Sequence, residues 1–196
     1  MQTVEVIGFK RANLGKTASK AIRAEGNVPC VLYGGEKQVH FIAPAILFRE
    51  LVYTPNAYQV LLNIEGEEHK AILQDAQFHP VSETLLHADF LELKEDRKVK
   101  MDIPVKAIGV APGVAKGGKL VMKLRKLTVR ALPQDMPDYI EVNISKLDLG
   151  RSAKVGELTP GNYEIVNNPL VSICSIEIPR ALRGKNMGDD EEGEDA

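Results

Sequence analysis

Tryptophan is absent from the 196 residues, phenylalanine and tyrosine number five each, and cysteine occurs twice. With so little aromatic area, any core is expected to rest on Val, Ile, Leu and Ala. Cys30 and Cys174 sit singly inside the apolar runs VPCVLY and VSICSIE, far from each other and from any CxxC spacing. That leaves zinc and redox roles without a motif and predicts two buried, reduced thiols. No apolar run approaches the ~20 residues that cross a bilayer, and no stretch has the charged start, apolar centre and cleavage pattern of a secretory leader. A soluble, intracellular protein with no membrane partner is expected.

Two stretches lack one sign of charge altogether. Residues 10–24 hold Lys10, Arg11, Lys16, Lys20 and Arg23 with no acid, and residues 189–195, DDEEGED, hold six acids with no base. The formal charge of −2 therefore hides a body of 25 basic and 21 acidic side chains, a balance of +4. Residues 94–131 add a second basic concentration, eight Lys and three Arg against three acids. This layout suits a polyanionic partner, although any soluble surface needs charge. Residues 1–93 as a whole count eight Lys and Arg against eleven acids, so a nucleic-acid site there has to be a local patch.

Hydrophobic alternation gives the fold class. TVEVIGF, NVPCVLY, QVHFIA and LLHADFLEL read as strands, AYQVLLNIEGEEHKAILQDAQF as a hairpin turning at Glu65 to Glu68, and ASKAIRAEG and PAILFRELV as short helices. On the first helix Lys20 and Arg23 share a face, while Ala18, Ala21 and Ile22 can turn inward. Short strands at turn-bounded intervals predict a small all-β barrel or sandwich with helical decoration. The charged run KEDRK, Lys94 to Lys98, marks a break, and strands continue to LVSICSIEIP. The expected organisation is mainly β in two domains, 1–93 and 95–180, followed by a disordered acidic tail at 181–196.

Two constellations could carry chemistry. GVAKGGKL, Gly113 to Leu120, fills seven of the eight positions of the phosphate loop GxxxxGK[ST], with Leu120 in place of the magnesium-ligating hydroxyl. A working loop leaves a buried parallel strand and opens a helix. Here VKMDIPVKAIG alternates, with Val99, Met101, Ile103, Val105 and Ala107 on one face and Pro104 among the lysines on the other. It reads as a half-solvated antiparallel strand near an edge. LVMKLRKLTVRAL reads as one strand with a slip near Lys126, so the glycines become a flexible basic connection between strands. His87 and Asp89 lie two apart on a strand, hence on one face, with His79 nearby. They could hold a metal, pair as base and orienting acid, serve the fold, or bond to sugars and base edges of a nucleic acid. No third convincing ligand or neighbouring nucleophile accompanies them.

The run KRANLGKTASKAIRAEGNVPCVLYGG, followed by QDAQFHP, HADF, IPV, PGVAKGGKL, LPQDMPDYIEVNISKLDLG and the acidic tail, closely resembles the bacterial large-subunit ribosomal protein family that binds 5S ribosomal RNA, in its long, two-domain, general stress protein Ctc form. The resemblance implies an N-terminal β-barrel gripping 5S RNA across a wide, shallow minor groove. On it Arg11 and Lys16 would reach phosphates, and Ser19, Lys20 and Arg23 would extend that grip. Tyr33 and Gln74 would contact the RNA backbone or base edges, and His87 and Asp89 would form the family's HxD pair at the RNA surface. Lys20 and Phe78 stand where some members carry arginine and a basic residue. Short members lack the second domain, whose implied role is contact with neighbouring ribosomal proteins and rRNA. The resulting expectation is a non-enzymatic protein without cofactor, catalytic residue or metal, monomeric when free, stabilising the central protuberance of the large subunit. The alternatives are a stress-induced protein-binding module acting off the ribosome and a nucleotide-dependent enzyme built on Gly113 to Lys119.

Overall fold

In β1 (Gln2–Lys10) the alternation of the sequence becomes an inward row of Val4, Val6 and Gly8 and an outward row that includes Ile7 and Phe9. The computed structural model describes residues 1–159 and 161–179, so the expectation for the tail at 181–196 lies outside the described residues. After β1 come α1 (Lys16–Ala24), β2 (Asn27–Tyr33) and β3 (Val39–Pro44). A single 3-10 turn leads into α2 (Arg49–Tyr53), then β4 (Tyr58–Ile64), β5 (Glu67–Phe78) and β6 (Leu85–Glu92). Gly26, at φ 80°, ends the α1 segment as the sequence implies. Glu65 and Gly66, at φ 55° and 92°, supply the two left-handed residues of a tight hairpin turn between β4 and β5.

The six strands close into a barrel in the order β1-β3-β2-β6-β5-β4. Parallel pairing of β1 with β4, from Gln2 opposite Tyr58 to Gly8 opposite Ile64, makes the closure, and β2 with β6 is the other parallel seam. Closure removes the unpaired edges that a six-stranded open sheet would expose. Val28, Cys30 and Leu32 from β2, Phe41 and Ala43 from β3, Val60, Leu62 and Ile64 from β4, and Ala88 and Phe90 from β6 fill the interior. The core is not purely aliphatic, as the composition suggests: Phe41 and Phe48 pack on Phe90 with ring centroids 5.8 and 6.1 Å apart. Three of the five phenylalanines thus meet in the barrel, whereas Phe9 and Phe78 are exposed.

The remaining strands are β7 (Val99–Ile108), β8 (Lys119–Met122), β9 (Lys126–Ala131), β10 (Ile140–Asn143), β11 (Ser152–Lys154), β12 (Glu164–Ile165) and β13 (Ser172–Glu177), with a four-residue α3 (Pro112–Ala115). They form a four-stranded sheet, β10-β7-β9-β12, and a three-stranded sheet, β11-β13-β8. By compactness the described residues divide into one unit of 1–103, 129–138 and 162–164 and another of 104–128, 139–159, 161 and 165–179.

Three expectations change here. β7 is an interior strand, parallel to β10 from Val105 opposite Ile140, not an antiparallel edge. Pro104 is buried, not solvated. It is tolerated because Val105 donates to Arg125 O at 2.9 Å, which turns position 104 towards β10, where pairing begins only at Val105. LVMKLRKLTVRAL is two strands in different sheets: Lys123 and Leu124 both donate to Ile173 O, at 2.8 and 3.0 Å, and break the run between β8 and β9.

The glycine loop also differs from the flexible connection expected. Gly113 donates to Leu147 O at 3.1 Å and Gly118 to Gly113 O at 2.9 Å. A Cβ on Gly113 would lie 2.7 Å from Asp148 C and Leu149 N, and one on Gly118 would lie 2.5 Å from Ile176. The glycines serve close packing against the chain itself.

Candidate nucleic-acid interface

The inner core fixes what the outer face of the barrel presents. Ala88 and Phe90 of β6 are fully buried, so alternation turns His87, Asp89 and Leu91 outward; Val28, Cys30 and Leu32 of β2 likewise turn Val31 and Tyr33 outward. Register then aligns these positions. Asp89 lies opposite Val31 on one side and Asp75 on the other, Val31 lies opposite His40, and Arg11 donates its backbone N–H to His40 O at 2.9 Å. One row therefore runs from the end of β1 across β3, β2 and β6 to β5. Gln77 lies opposite His87, and Tyr33 opposite Leu91.

The basic stretch approaches this face through α1. Lys16, Lys20 and Arg23 are exposed and no acid interrupts the helix. Arg23 Nε donates to Leu86 O at the start of β6, at 2.9 Å. Half-buried Arg11 donates through Nη2 to Asn13 O at 3.3 Å and to Ser19 Oγ at 3.1 Å, and Ser19 Oγ donates to Gly15 O at 2.9 Å. Arg11 thus ties the end of β1 to the first turn of α1, where the resemblance would send it to phosphate. Lys10 is occupied by Glu67 at 2.9 Å, which raises the lysine and depresses the glutamate from their ordinary values. Among the described residues no hydrogen bond or ion pair occupies Lys16, Lys20 or Gln74.

The strand side chains are polar but rooted in an apolar wall. His87 Nδ1 lies 2.7 Å from Asp89 Oδ1, an ion-pair distance when the imidazole is protonated. The approach is not aligned as a hydrogen bond, and among the described residues neither Asp89 Oδ1 nor, separately, Arg11 Nε has a hydrogen-bond partner, although both atoms are buried. Burial, then the Asp89 and Asp75 carboxylates, push the Tyr33 phenol up, so it remains a neutral donor at physiological pH. Burial pushes the Cys30 thiol far up and raises Cys174, and both cysteines are free. An outer face with cations on a helix, donors and acceptors on strands, and a phenol beside them can meet phosphates, 2′-hydroxyls and base edges.

The structure gathers Ser19, Tyr33, His87 and Asp89 with Arg11 on or beside this face, leaves Lys16 and Lys20 on exposed helix positions, and puts Gln74 at a register shift in β5 between Leu73 and Asp75. That shift lets both Leu73 and Ala76 pack against the core and leaves Asp75 and Gln77 exposed. Simple alternation from Leu73 turns positions 75 and 77 inward, so Asp75 and Gln77 escape a reading of sequence. His79 is a turn residue, its Nδ1 accepting from Val81 and Ser82 N–H at 3.3 and 3.2 Å. Among the described residues no group of three or more His, Cys, Asp and Glu gathers to hold a metal, and no helix is long and apolar enough to cross a membrane. In GVAKGGKL, Lys116 pairs with Asp148 at 2.8 Å and Leu120 lies in β8 opposite Ile176. A strand follows the glycines, where a phosphate loop needs a helix.

Barrel, basic helix and polar outer face define a scaffold protein with a docking surface. The model of the Ribosomal L25p family matches residues 7–90, and that of Ribosomal protein TL5, C-terminal domain, matches residues 98–180. Over 183 residues the chain is 53% identical to the large ribosomal subunit protein bL25 of Cytophaga hutchinsonii, covering 93% of this chain and 95% of that one. Identity to the protein of the same name from Amoebophilus asiaticus is 53%, over 93% of each chain. For that of Bacteroides fragilis it is 43%, over 94% and 96%. The chain belongs to the Ribosomal L25p family and is a large-subunit ribosomal protein, not an enzyme.

Proposed function

We propose that this chain binds 5S ribosomal RNA with its barrel and thereby helps stabilise the central protuberance of the large subunit. The observation that carries this reading is the row of Asp75, Asp89, Val31, His40 and Arg11 beside the acid-free helix α1. Lys16 and Lys20 supply phosphate attraction, Arg23 and Arg11 hold α1 in place, and Tyr33, Gln74, His87 and Asp89 meet sugars and base edges. Residues 1–93 carry the RNA site, and residues 95–180 contact neighbouring ribosomal proteins and rRNA. The free protein is a monomer. As a ribosomal component it resides in the cytoplasm on the ribosome.

The test is 5S RNA binding against salt for the full chain, for residues 1–93 and for His87→Ala. The fragment is expected to suffice, and His87→Ala to lose about 1–3 kcal/mol of discrimination over an unrelated duplex. Equal affinity of the full chain for that duplex would reduce the activity to general polyanion binding. No 5S RNA binding, with retention of a protein partner, would favour a stress-induced module acting off the ribosome.

A further inference from the structure

The RNA contacts proposed so far leave unused the most basic stretch of the chain, residues 94–131. Part of it belongs to the same compact unit as the barrel: Arg97, Lys98 and Lys100 before and on β7, and Arg130 on β9. With Tyr33 and Gln74 these four cations line an open cavity of about 650 Å³. Val99 is buried between Lys98 and Lys100 in sequence, so strand alternation turns both ammonium groups to the opposite side. All four cations are exposed, and none takes part in an ion pair between described residues. Asp96 is the single acid in the lining.

We propose that this cavity receives a phosphodiester segment of the RNA that the β2, β6 and β5 face contacts, so that the interface continues past Tyr33 and Gln74 onto Arg97, Lys98, Lys100 and Arg130. The proposal rests on the RNA reading and extends it to residues outside the helix and strands used there. Two features favour RNA backbone over other occupants. Charge is the first: four cations against one acid in an open, polar recess attract a polyanion, and the two guanidinium groups can grip phosphate oxygens as forks. Continuity is the second, because Tyr33 shares its outward row on β2 with Val31 and the Asp89 register. An RNA strand lying on that row reaches the cavity without leaving the surface.

The experiment compares three full-length proteins in 5S RNA binding across a salt series. One is wild type, one carries Arg97→Gln, Lys100→Gln and Arg130→Gln, and one carries Lys123→Gln, Lys146→Gln and Lys154→Gln. The last removes three exposed cations of the other compact unit and so matches the change in charge. The cavity variant is expected to lower the salt slope by about 1–2 and to bind about tenfold more weakly, with the control within about twofold of wild type. Iron-EDTA tethered to Lys98→Cys should cut 5S RNA next to the segment cut from Gln77→Cys, the native thiols being buried. This readout stands even if the triple variant folds poorly.

A cavity variant indistinguishable from the control, or cleavage away from the Gln77→Cys segment, overturns the proposal and leaves the RNA reading intact. An unchanged 5S affinity with loss of retention in the large subunit also overturns it, in favour of a protein occupant or a different RNA. If wild type fails to prefer 5S RNA, the underlying reading falls first.

Discussion

Arg11 is the position at which a direct phosphate contact and a positioning role can be separated. Its guanidinium is half-buried and donates to Asn13 O at 3.3 Å and Ser19 Oγ at 3.1 Å, so it holds the first turn of α1 against the end of β1. A charged hydrogen bond of this kind has a net worth of roughly 1.5–3 kcal/mol, less where water reaches it. Arg11→Ala should therefore release α1, weaken 5S RNA binding by about tenfold and lower the salt slope by less than half of one phosphate contact, under about 0.5. Lys20→Ala, at an exposed helix position, should show the reverse pattern: a smaller loss of affinity and a slope lower by nearly a full phosphate contact, about 0.9. The decisive arm is the double-mutant cycle with Ser19→Ala. If Arg11 acts through Ser19, the double variant should bind no more weakly than Arg11→Ala within about 0.5 kcal/mol. Additive losses, with a slope change for Arg11→Ala as large as that for Lys20→Ala, would show that the guanidinium sits on phosphate and that the hydrogen bond to Ser19 is incidental.

Gly113→Ala should destabilise by about 1–3 kcal/mol in urea titration, because its methyl meets backbone of Asp148 and Leu149 at 2.7 Å. Leu120→Thr, which completes the phosphate-loop pattern, should acquire no ATP binding in equilibrium dialysis; measurable binding would revive the nucleotide reading. Phe90→Ala removes the ring on which Phe41 and Phe48 pack, and chemical denaturation should show a loss of about 3–5 kcal/mol. The Lys116 hydrogen bond, then the Leu149 N–H, hold the Asp148 carboxyl below its ordinary value. Its contribution is thus present above the ordinary aspartate range and lost as pH falls through the depressed folded value. The melting temperatures of wild type and Asp148→Asn should converge in acid, and a gap independent of pH would exclude this linkage. Asp75→Asn should stabilise the free protein by about 0.2–1 kcal/mol in the same denaturation assay, since like charges lie directly opposite at Asp75 and Asp89.

The barrel was legible where alternation was regular. In β4 the period of two survives intact, and in β6 it holds from His87 on, so that His87 and Asp89 fall on one face as their spacing requires. It was obscure where long-range pairing decides. Nothing local in VKMDIPVKAIG reveals that a parallel partner starts opposite Val105 and spares Pro104, and the break between β8 and β9 depends on Ile173, some fifty residues away in the chain. The register shift at Gln74 is similarly invisible, so Asp75 was missed although its neighbour was named. The Arg11–Ser19 link needed the helix to be placed against the end of β1. The glycines of GVAKGGKL mislead for a related reason: closeness of backbone to Asp148, Leu149 and Ile176 demands the same residue type as closeness of backbone to phosphate.

The polar face and the core are one feature of the sequence seen from two sides. Sliding β6 by a single residue against β2 and β5 would bring His87 and Asp89 into the barrel and push Ala88 and Phe90 out, so the three-phenylalanine cluster sets the register of the face as well as the stability of the fold. Within that well-determined register, the outer face of β5 and β6 breaks a local rule. Asp75 and Asp89 are like charges opposite each other, and Asp89 Oδ1 is buried without an aligned donor. Such violations concentrate where a surface is completed by something outside the chain. Hydrogen-bond donors from base amino groups or 2′-hydroxyls would satisfy the Asp89 carboxylate and separate it from Asp75, while phosphates would remain with the cations beside this face. On the proposed RNA reading, that division of labour would let residues 1–93, with more acids than bases, serve an RNA: carboxylates would accept from base and sugar donors, and cations confined to the acid-free helix and the adjoining cavity would meet phosphates.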